Sequence, residues 1–374
     1  MPPEVKTLRL LVINYEMDDT SPVLAWQASI ARELAKLCAT VVVLTERQGR
    51  FHSLPNLVVK EIRHDPRPLQ VEQGFPGIAR SDIFQYCQRN QFNACFIHMA
   101  HKWAYRLYPI FFLQRIPTLL WYAHGTVTAH LRRAHHCATR VVTSTPEGFR
   151  IPSSKVSIIG QGVNTELFSI PHFHQNRDHI IYTGRVSRRK RIELLIRTMA
   201  ELEKIATDLP FRLFLVGPLL TADDQKYNQE LQELVEQFDL QQRVTFLGSI
   251  SQQHHSKFYA RSFLHLNVSA TGSMDKTVLE ALACGCPVLT SNEAFREILR
   301  PYPEFIVHDD NPQGIAKQIL SIYFNQNKYA PTAMRALVAD RHDQKSFAKK
   351  VFDILTEISM TSHVQATVPF GSTE

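Results

Sequence analysis

Gly272-Ser273-Met274-Asp275-Lys276-Thr277-Val278-Leu279-Glu280-Ala281-Leu282-Ala283-Cys284-Gly285-Cys286-Pro287-Val288-Leu289 says more about the fold than any other stretch of this sequence. A short polar loop containing glycine runs into a helix of small and apolar residues. Gly285 and Pro287 stop that helix, and a buried-type strand follows. Such a loop delivers backbone N–H groups and a helix N-terminus to one point, where an anion is favoured. Upstream, Tyr182-Thr183-Gly184-Arg185-Val186-Ser187-Arg188-Arg189-Lys190-Arg191 supplies a strand, a glycine and a cluster of cations. Two such elements in one α/β domain point to a diphosphate site.

Outward from these segments, short apolar strands alternate with helices, the pattern of parallel sheets joined by crossovers. In the first half, strands are expected at 8–14, 40–44, 57–62, 94–98, 118–123, 140–143 and 156–159. Helices are expected at 22–37, 78–89, 103–113 and 127–137. Periodicity fades near 162–177, where an interdomain linker is placed. Strands then fall at 180–183, 212–216, 244–247, 264–268, 288–290 and 305–307. Helices fall at 192–204, 224–238, 252–260, 277–284, 312–324 and 344–358. The expected domains are residues 1–165 and 176–342. A C-terminal helix over 343–360 is expected to pack back on the first domain, and 361–374 to form a disordered tail.

The 374 residues suit two domains, each large enough for its own core. No apolar run approaches the roughly 20 residues that span a bilayer. The N-terminal residues show no signal-peptide pattern. The six cysteines are scattered and form no CxxC pair, which is read as reduced thiols in a cytoplasmic protein. A net charge of +7 suits anionic substrates, an anionic membrane surface or nucleic acid. No helix-turn-helix, zinc-finger or RNP-type pattern accompanies that charge, so no nucleic acid is expected.

Several residues can carry chemistry. Arg185 follows a strand and Gly184, and Lys190 lies where the next helix begins. A guanidinium reaches the non-bridging oxygens of a diphosphate bidentately. Arg188–Arg191 reads equally as a solvated or nuclear-localisation-like run, and four adjacent cations cannot all face one ligand. Glu280 has two readings. Thr277-Val278-Leu279-Glu280 matches a capping box; alternatively the carboxylate accepts ribose hydroxyls. His124 follows the strand ending Trp121-Tyr122-Ala123 and sits at a crevice edge, where it can meet a sugar hydroxyl. His98 and His101 lack a third metal ligand, and Asp18-Asp19 reads as a solvated turn; no metal site is expected. There is no Walker loop and no GxGxxG, which argues against a Rossmann oxidoreductase.

In combination these residues resemble the group 1 family of retaining GT-B glycosyltransferases, which transfer sugars from nucleotide donors. Ile159-Gly160-Gln161-Gly162-Val163-Asn164-Thr165-Glu166-Leu167-Phe168 resembles the family's interdomain segment. Gly184-Arg185 through Lys190 resembles its GRLxxxKG segment. Phe214-Leu215-Val216-Gly217 and Val244-Thr245-Phe246-Leu247-Gly248 resemble its next two strand ends. Glu280–Val288 resembles EAMACGxPV. The match covers about 155–300, and continues more loosely through residue 325. The resemblance implies two Rossmann-like doubly wound domains facing a central cleft. It implies that Arg185 and Lys190 bind the donor diphosphate, Glu280 the ribose, and Ile250 the base. It also implies that His124 reaches the donor sugar and that loop amides near Ser273, Asp275, Lys276 and Thr277 contact phosphate or sugar. No cofactor beyond the nucleotide-sugar donor is implied.

Two departures stand out. Family members often carry an acidic pair separated by seven residues, whose first member falls here on Gly272, beside the donor sugar. The glycine pair usual after the first strand is missing, so the acceptor-side loop differs. The expected enzyme is a metal-independent, retaining glycosyltransferase acting on a saccharide, glycolipid or other lipid-linked acceptor, with peripheral contact at the inner face of an anionic membrane. Lys102, Trp103, Tyr105 and Arg106 read as an acceptor surface or as core packing. Alternatives are another GT-B enzyme, such as an epimerase or phosphorylase, and a non-catalytic sugar-nucleotide-binding scaffold.

Overall fold

The computed structural model describes residues 7–63, 78–170, 177, 179–209, 211–269 and 273–367. It divides into two compact units: Met1–Gly160 with Gln344–Glu374, and Gln161–Asp343.

The first unit holds strands β1 (Arg9–Met17), β2 (Thr40–Gln48), β3 (Leu57–Arg63), β4 (Ile78–Ala79), β5 (Ala94–His98), β6 (Thr118–Trp121), β7 (Arg140–Thr143) and β8 (Val156–Ile158). Its helices are α1 (Ala25–Leu37), α2 (Ile83–Asn90), α3 (Lys102–Arg106), α4 (Tyr108–Leu113) and α5 (Ala129–Cys137). The sheet is parallel, in the order β4-β3-β2-β1-β5-β6-β7-β8. Leu10, Leu11, Val12 and Ile13 of β1 are all buried, because a central parallel strand is covered on both faces. Leu10, Val12, Phe96 and Trp121 face one core, which α1 and the C-terminal helix supply; Phe347 meets Trp121 edge-on at 4.9 Å. Leu11, Ile13, Ile97 and Leu120 face a second core with Ile83, Trp103, Phe111 and Leu131 of α2 to α5.

The second unit holds β9 (His179–Thr183), α6 (Ile192–Ile205), β10 (Arg212–Val216), α7 (Ala222–Gln237), β11 (Val244–Gly248), α8 (Gln252–Arg261) and β12 (Ser262–Asn267). After these come α9 (Lys276–Ala283), β13 (Val288–Thr290), α10 (Pro312–Phe324) and α11 (Pro331–Ala339). Its parallel sheet runs β11-β10-β9-β12-β13. The order reverses between β9 and β12, so chains leaving these two strands diverge and open a crevice at their carboxyl ends. Both segments that decided the sequence reading enter there.

Five expectations change. The 103–113 helix is two short helices, because Pro109 cannot continue α3 without a clash and a lost donor. The 78–89 helix begins only at Ile83; Ile78 and Ala79 pair with β3. Residues 305–307 form no strand: Pro303 starts a 3-10 turn to Phe305, and Ile306 makes a single bridge to Thr290. The last helix, α12 (Gln344–Thr367), continues into the expected tail, since neither Gly nor Pro interrupts it before Pro369. α11 was not anticipated in the sequence. The linker falls partly outside the described residues.

Candidate functional site: the crevice between β9 and β12

Three glycines let the strand ends of the second unit lie side by side. Gly184 N donates to the Val216 carbonyl at 2.9 Å, and Gly217 N to the Gly248 carbonyl at 2.9 Å. A Cβ on Gly217 would stand 1.8 Å from the Gly184 carbonyl oxygen, so this close approach excludes any side chain.

Arg185 leaves the end of β9 and is partly exposed. Its Nε meets Asp224 Oδ2 at 2.8 Å and its Nη2 meets Oδ1 at 3.1 Å, a bidentate pair. Asp224 is fixed in turn as the third residue of α7 by a capping box with Thr221. Burial raises its pKa, but the Arg185 guanidinium and the amides of Leu220 and Thr221 outweigh that and hold it low.

The basic run is dispersed by a 3-10 turn over Arg188–Lys190 and by Arg191 in the left-handed region at φ 54°. Arg188 pairs with Glu230 at 2.6 Å and Arg191 with Asp310 at 2.7 Å. Lys190 alone of these three turns into the crevice, where Nζ lies 2.7 Å from Asp275 Oδ1. Asp275 is the N-cap of α9, yet its side chain makes no capping bond. It accepts instead from Asn267 Nδ2 at 2.9 Å and Ser269 Oγ at 2.5 Å, both from the end of β12. Burial raises its pKa, and Lys190 with these donors more than reverses that.

The capping-box reading of Glu280 fails. The N-cap is Asp275, so Thr277 is already inside the helix and Glu280 lies more than a turn beyond the start. The Glu280 side chain is buried and accepts from Tyr259 Oη at 3.4 Å. Tyr259 Oη lies 2.6 Å from Thr183 Oγ1, which lies 3.0 Å from His265 Nε2. Burial lifts the Glu280 carboxyl above the usual carboxylate range, opposed by the Lys276 charge one turn earlier; burial likewise lowers Lys276. Burial, with Lys190 adding, pushes His265 down to about 3 against the opposing charge of Asp275, so its ring is neutral. α9 ends in a Schellman motif: Cys286 N donates to the Ala281 carbonyl and left-handed Gly285 N to that of Leu282.

Lys190 and Asp275 therefore meet at the ends of β9 and β12, Lys276, Thr277 and Glu280 follow on α9, and Arg185 leaves the same end of β9 turned toward Asp224 of α7. The Ser273 carbonyl accepts from Asn292 Nδ2 at 2.7 Å at the crevice edge. Ile250 lies two residues beyond β11 and packs on the core. Gly272 lies outside the described residues. His124 belongs to the first unit, just past β6; its Nδ1 accepts from Thr126 N at 3.1 Å. Trp103 is core, not acceptor surface, and its Nε1 donates to Glu46 at 2.8 Å. Tyr105 stacks on His130. His98 packs against Trp26, and Asp19 accepts from Arg32 at 2.5 Å. Among the described residues, no group of three His, Cys, Asp or Glu is arranged to hold a metal, and no helix is long and apolar enough to cross a membrane. Asp224 and Asp275 were not foreseen as partners of the two cations. The Thr221–Asp224 cap is legible as a helix start, but its second bond to Arg185 is a tertiary contact.

Residues 163–338 match the family model "Glycosyl transferases group 1". Over those residues the chain matches a group 1 glycosyltransferase domain. It is 22% identical over 213 residues to an alpha-monoglucosyldiacylglycerol synthase of Streptococcus pneumoniae, covering 57% of this chain and 43% of that protein. It is 28% identical over 183 residues to an uncharacterized glycosyltransferase of Methanocaldococcus jannaschii, covering 45% of each. The matched regions thus span less than half the length of these relatives. Among solved structures, Anabaena HepE in complex with UDP and glucose aligns with a TM-score of 0.73 at 16% identity, over 93% of this chain and 99% of that one. That likeness establishes the GT-B fold, with two parallel-sheet α/β domains.

Proposed function

We propose that this protein transfers a sugar, with retention of anomeric configuration, from a nucleoside-diphosphate sugar to a hydroxyl of a saccharide or lipid-linked acceptor, without a metal ion. One observation carries the reading. In the crevice at the switch point, Lys190, the Arg185 strand end, the N-terminus of α9 and the buried Glu280 converge. A departing nucleoside diphosphate needs positive partial charge at its phosphates and an acceptor for its ribose hydroxyls. Preorganised cations and a helix N-terminus act there without reorganising during the reaction. As charge develops on the sugar, the leaving phosphate takes the acceptor's proton on the same face. His124 is assigned to the donor sugar, and the amides of Ser273 to Thr277 to phosphate or sugar. Ile250 is assigned to the base. HepE solved with UDP and the pneumococcal diacylglycerol-linked synthase support this donor and acceptor chemistry. A lipid-linked acceptor would bring the protein into contact with an anionic membrane surface.

A second reading has its own observation. Arg185 and Lys190 already face the carboxylates of Asp224 and Asp275, so the anion site starts near neutrality. A scaffold that binds sugar nucleotides weakly and does not turn over fits that balance. Thermal-shift screening against UDP-, GDP- and ADP-sugars identifies the donor, because a ligand of the folded state raises stability. Turnover in EDTA giving a product anomer that matches the donor supports the transferase. Turnover restored only by Mg²⁺ or Mn²⁺, or an inverted anomer, refutes the mechanism. Donor binding with no turnover on any acceptor favours the scaffold.

A further inference from the structure

One face of the first unit's sheet is covered by α2, α3, α4 and α5, which bury Ile83, Trp103, Phe111 and Leu131 inward. The same stretch of chain has a one-sided charge. From Ile83 to Pro146 the sequence holds seven Lys or Arg and neither Asp nor Glu, in a protein where acids make up 35 of 374 residues. Lys102, Arg106, Arg115, Arg132 and Arg133 are exposed.

Exposed apolar groups gather on the same layer. Phe112 and Leu113 at the end of α4 are 68% and 69% exposed, and Tyr108 and Phe84 are exposed beside them. Tyr108 and Phe112 have ring centroids 5.9 Å apart. Gln114 Nε2 donates to the Phe84 carbonyl at 2.8 Å, tying α2 to the end of α4. A recess of about 500 Å³ opens here, lined by Tyr108, Phe112, Arg115, His136 and Lys155 among others. Single exposed apolar side chains are ordinary; three on the short helix α4, with Phe84 of α2 tied beside them, in a stretch of chain that carries cations and no acid, are not.

We propose that this layer docks on the surface of an anionic lipid bilayer. Phe112 and Leu113 enter the headgroup region, and Arg115, Arg132 and Arg133 face lipid phosphates. Apolar insertion and cationic attraction are the two terms that hold a peripheral protein at a membrane. A polyanion in water would meet the cations but leave Phe112 and Leu113 solvated, whereas a bilayer satisfies both. The inference deepens the membrane contact in the proposed function and rests on that reading; the experiment separates the two.

The full-length protein is sedimented with vesicles of phosphatidylcholine alone or mixed with phosphatidylglycerol. Binding is expected to the mixed vesicles and to be reversed at about 1 M salt, where charges are screened beyond about 3 Å. Phe112→Ser with Leu113→Ser, and separately Arg132→Glu with Arg133→Glu, should each lower partitioning at least about tenfold. Both pairs should melt like the wild type and bind UDP with unchanged affinity in calorimetry, since none of these residues lies in the second unit. Vesicle binding that persists while UDP fails to bind the wild type supports the surface and refutes the donor site. No binding to mixed vesicles, equal binding to both vesicle types, or unchanged partitioning in both variants overturns the proposal. So does a concentration-dependent dimer that Phe112→Ser with Leu113→Ser abolishes, which would make this face a contact between copies.

Discussion

Replacing Asp275 by Asn should move stability and nucleotide affinity in opposite directions. The wild-type carboxylate accepts from Lys190, Asn267 and Ser269 at 2.7, 2.9 and 2.5 Å. Asparagine keeps one acceptor oxygen and turns an amide donor toward another donor. Loss of a charge-assisted hydrogen bond costs about 1.5–3 kcal/mol, and Lys190 recovers part of that in water, so about 2 kcal/mol is expected. For a unit of this size that lowers Tm by roughly 4–8 °C. The pH dependence has a definite sign. Asp275 has a lowered pKa in the folded protein, so its stabilisation is present above its ordinary value of 3.8 and is lost as pH falls through the folded value. The gap between wild type and variant should therefore narrow toward acid. Nucleotide affinity runs the other way. A phosphate oxygen held by Lys190 would sit about 5 Å from the carboxylate, where two unit charges repel by about 3 kcal/mol at an effective dielectric of 20. Even after screening, the variant should bind UDP at least about tenfold more tightly, or about 1.4 kcal/mol. Calorimetric titration at low salt and a melting curve give both numbers. A variant that binds UDP more weakly refutes the reasoning, because Asp275 would then be holding Lys190 in place for the nucleotide or sharing a cation with it.

Lys190→Ala and Arg185→Ala should each weaken nucleoside diphosphate binding by about 1.5–3 kcal/mol in calorimetry. Arg188→Ala should do much less, since Arg188 pairs with Glu230 instead; equal losses at all three would reduce the site to a diffuse basic patch. Arg185→Ala should also lower Tm, because it leaves the buried Asp224 carboxylate without its partner. Glu280→Gln should weaken nucleotide binding, since an amide cannot match a carboxylate accepting two ribose hydroxyls. The raised pKa of Glu280 gives a stabilisation that is full below its ordinary value of 4.5 and is lost as pH rises through the folded value. The variant should lack that slope in a pH series of melts, and an identical slope in both proteins would refute the assignment.

Much of the fold was legible because its signals are local. Gly285 and Pro287 end α9 wherever that segment is placed, and an apolar run such as Leu10–Ile13 reads as a strand buried on both faces. α7, with Thr221 and Asp224 at its start, is likewise a local statement. Local signals also misled where two of them overlapped. Thr277 to Glu280 has the spacing of a capping box, but helix α9 starts at Asp275, so the same glutamate faces a buried tyrosine. Pro109 interrupts an apolar helical pattern, and its missing N–H and fixed ring split the helix in two. The 305–307 run has strand composition, but only Ile306 meets a neighbouring strand.

The sequence by itself determined that strands and helices alternate in two series and that glycines mark strand ends. It also placed cations and a helix N-terminus at two points far apart in the chain. What those points do to each other was decided only by tertiary structure. The reversal of strand order between β9 and β12 brings Lys190 to Asp275 across 85 residues, and the meeting of β9 with α7 brings Arg185 to Asp224 across 39. Charge on an isolated segment predicts attraction for a phosphate. Once folded, each cation has a carboxylate within hydrogen-bond distance, and the sign and strength of the site depend on that pairing. Sequence spacing cannot supply it, because Coulomb energy depends on distance through space and on burial, and both exist only after the sheet has closed.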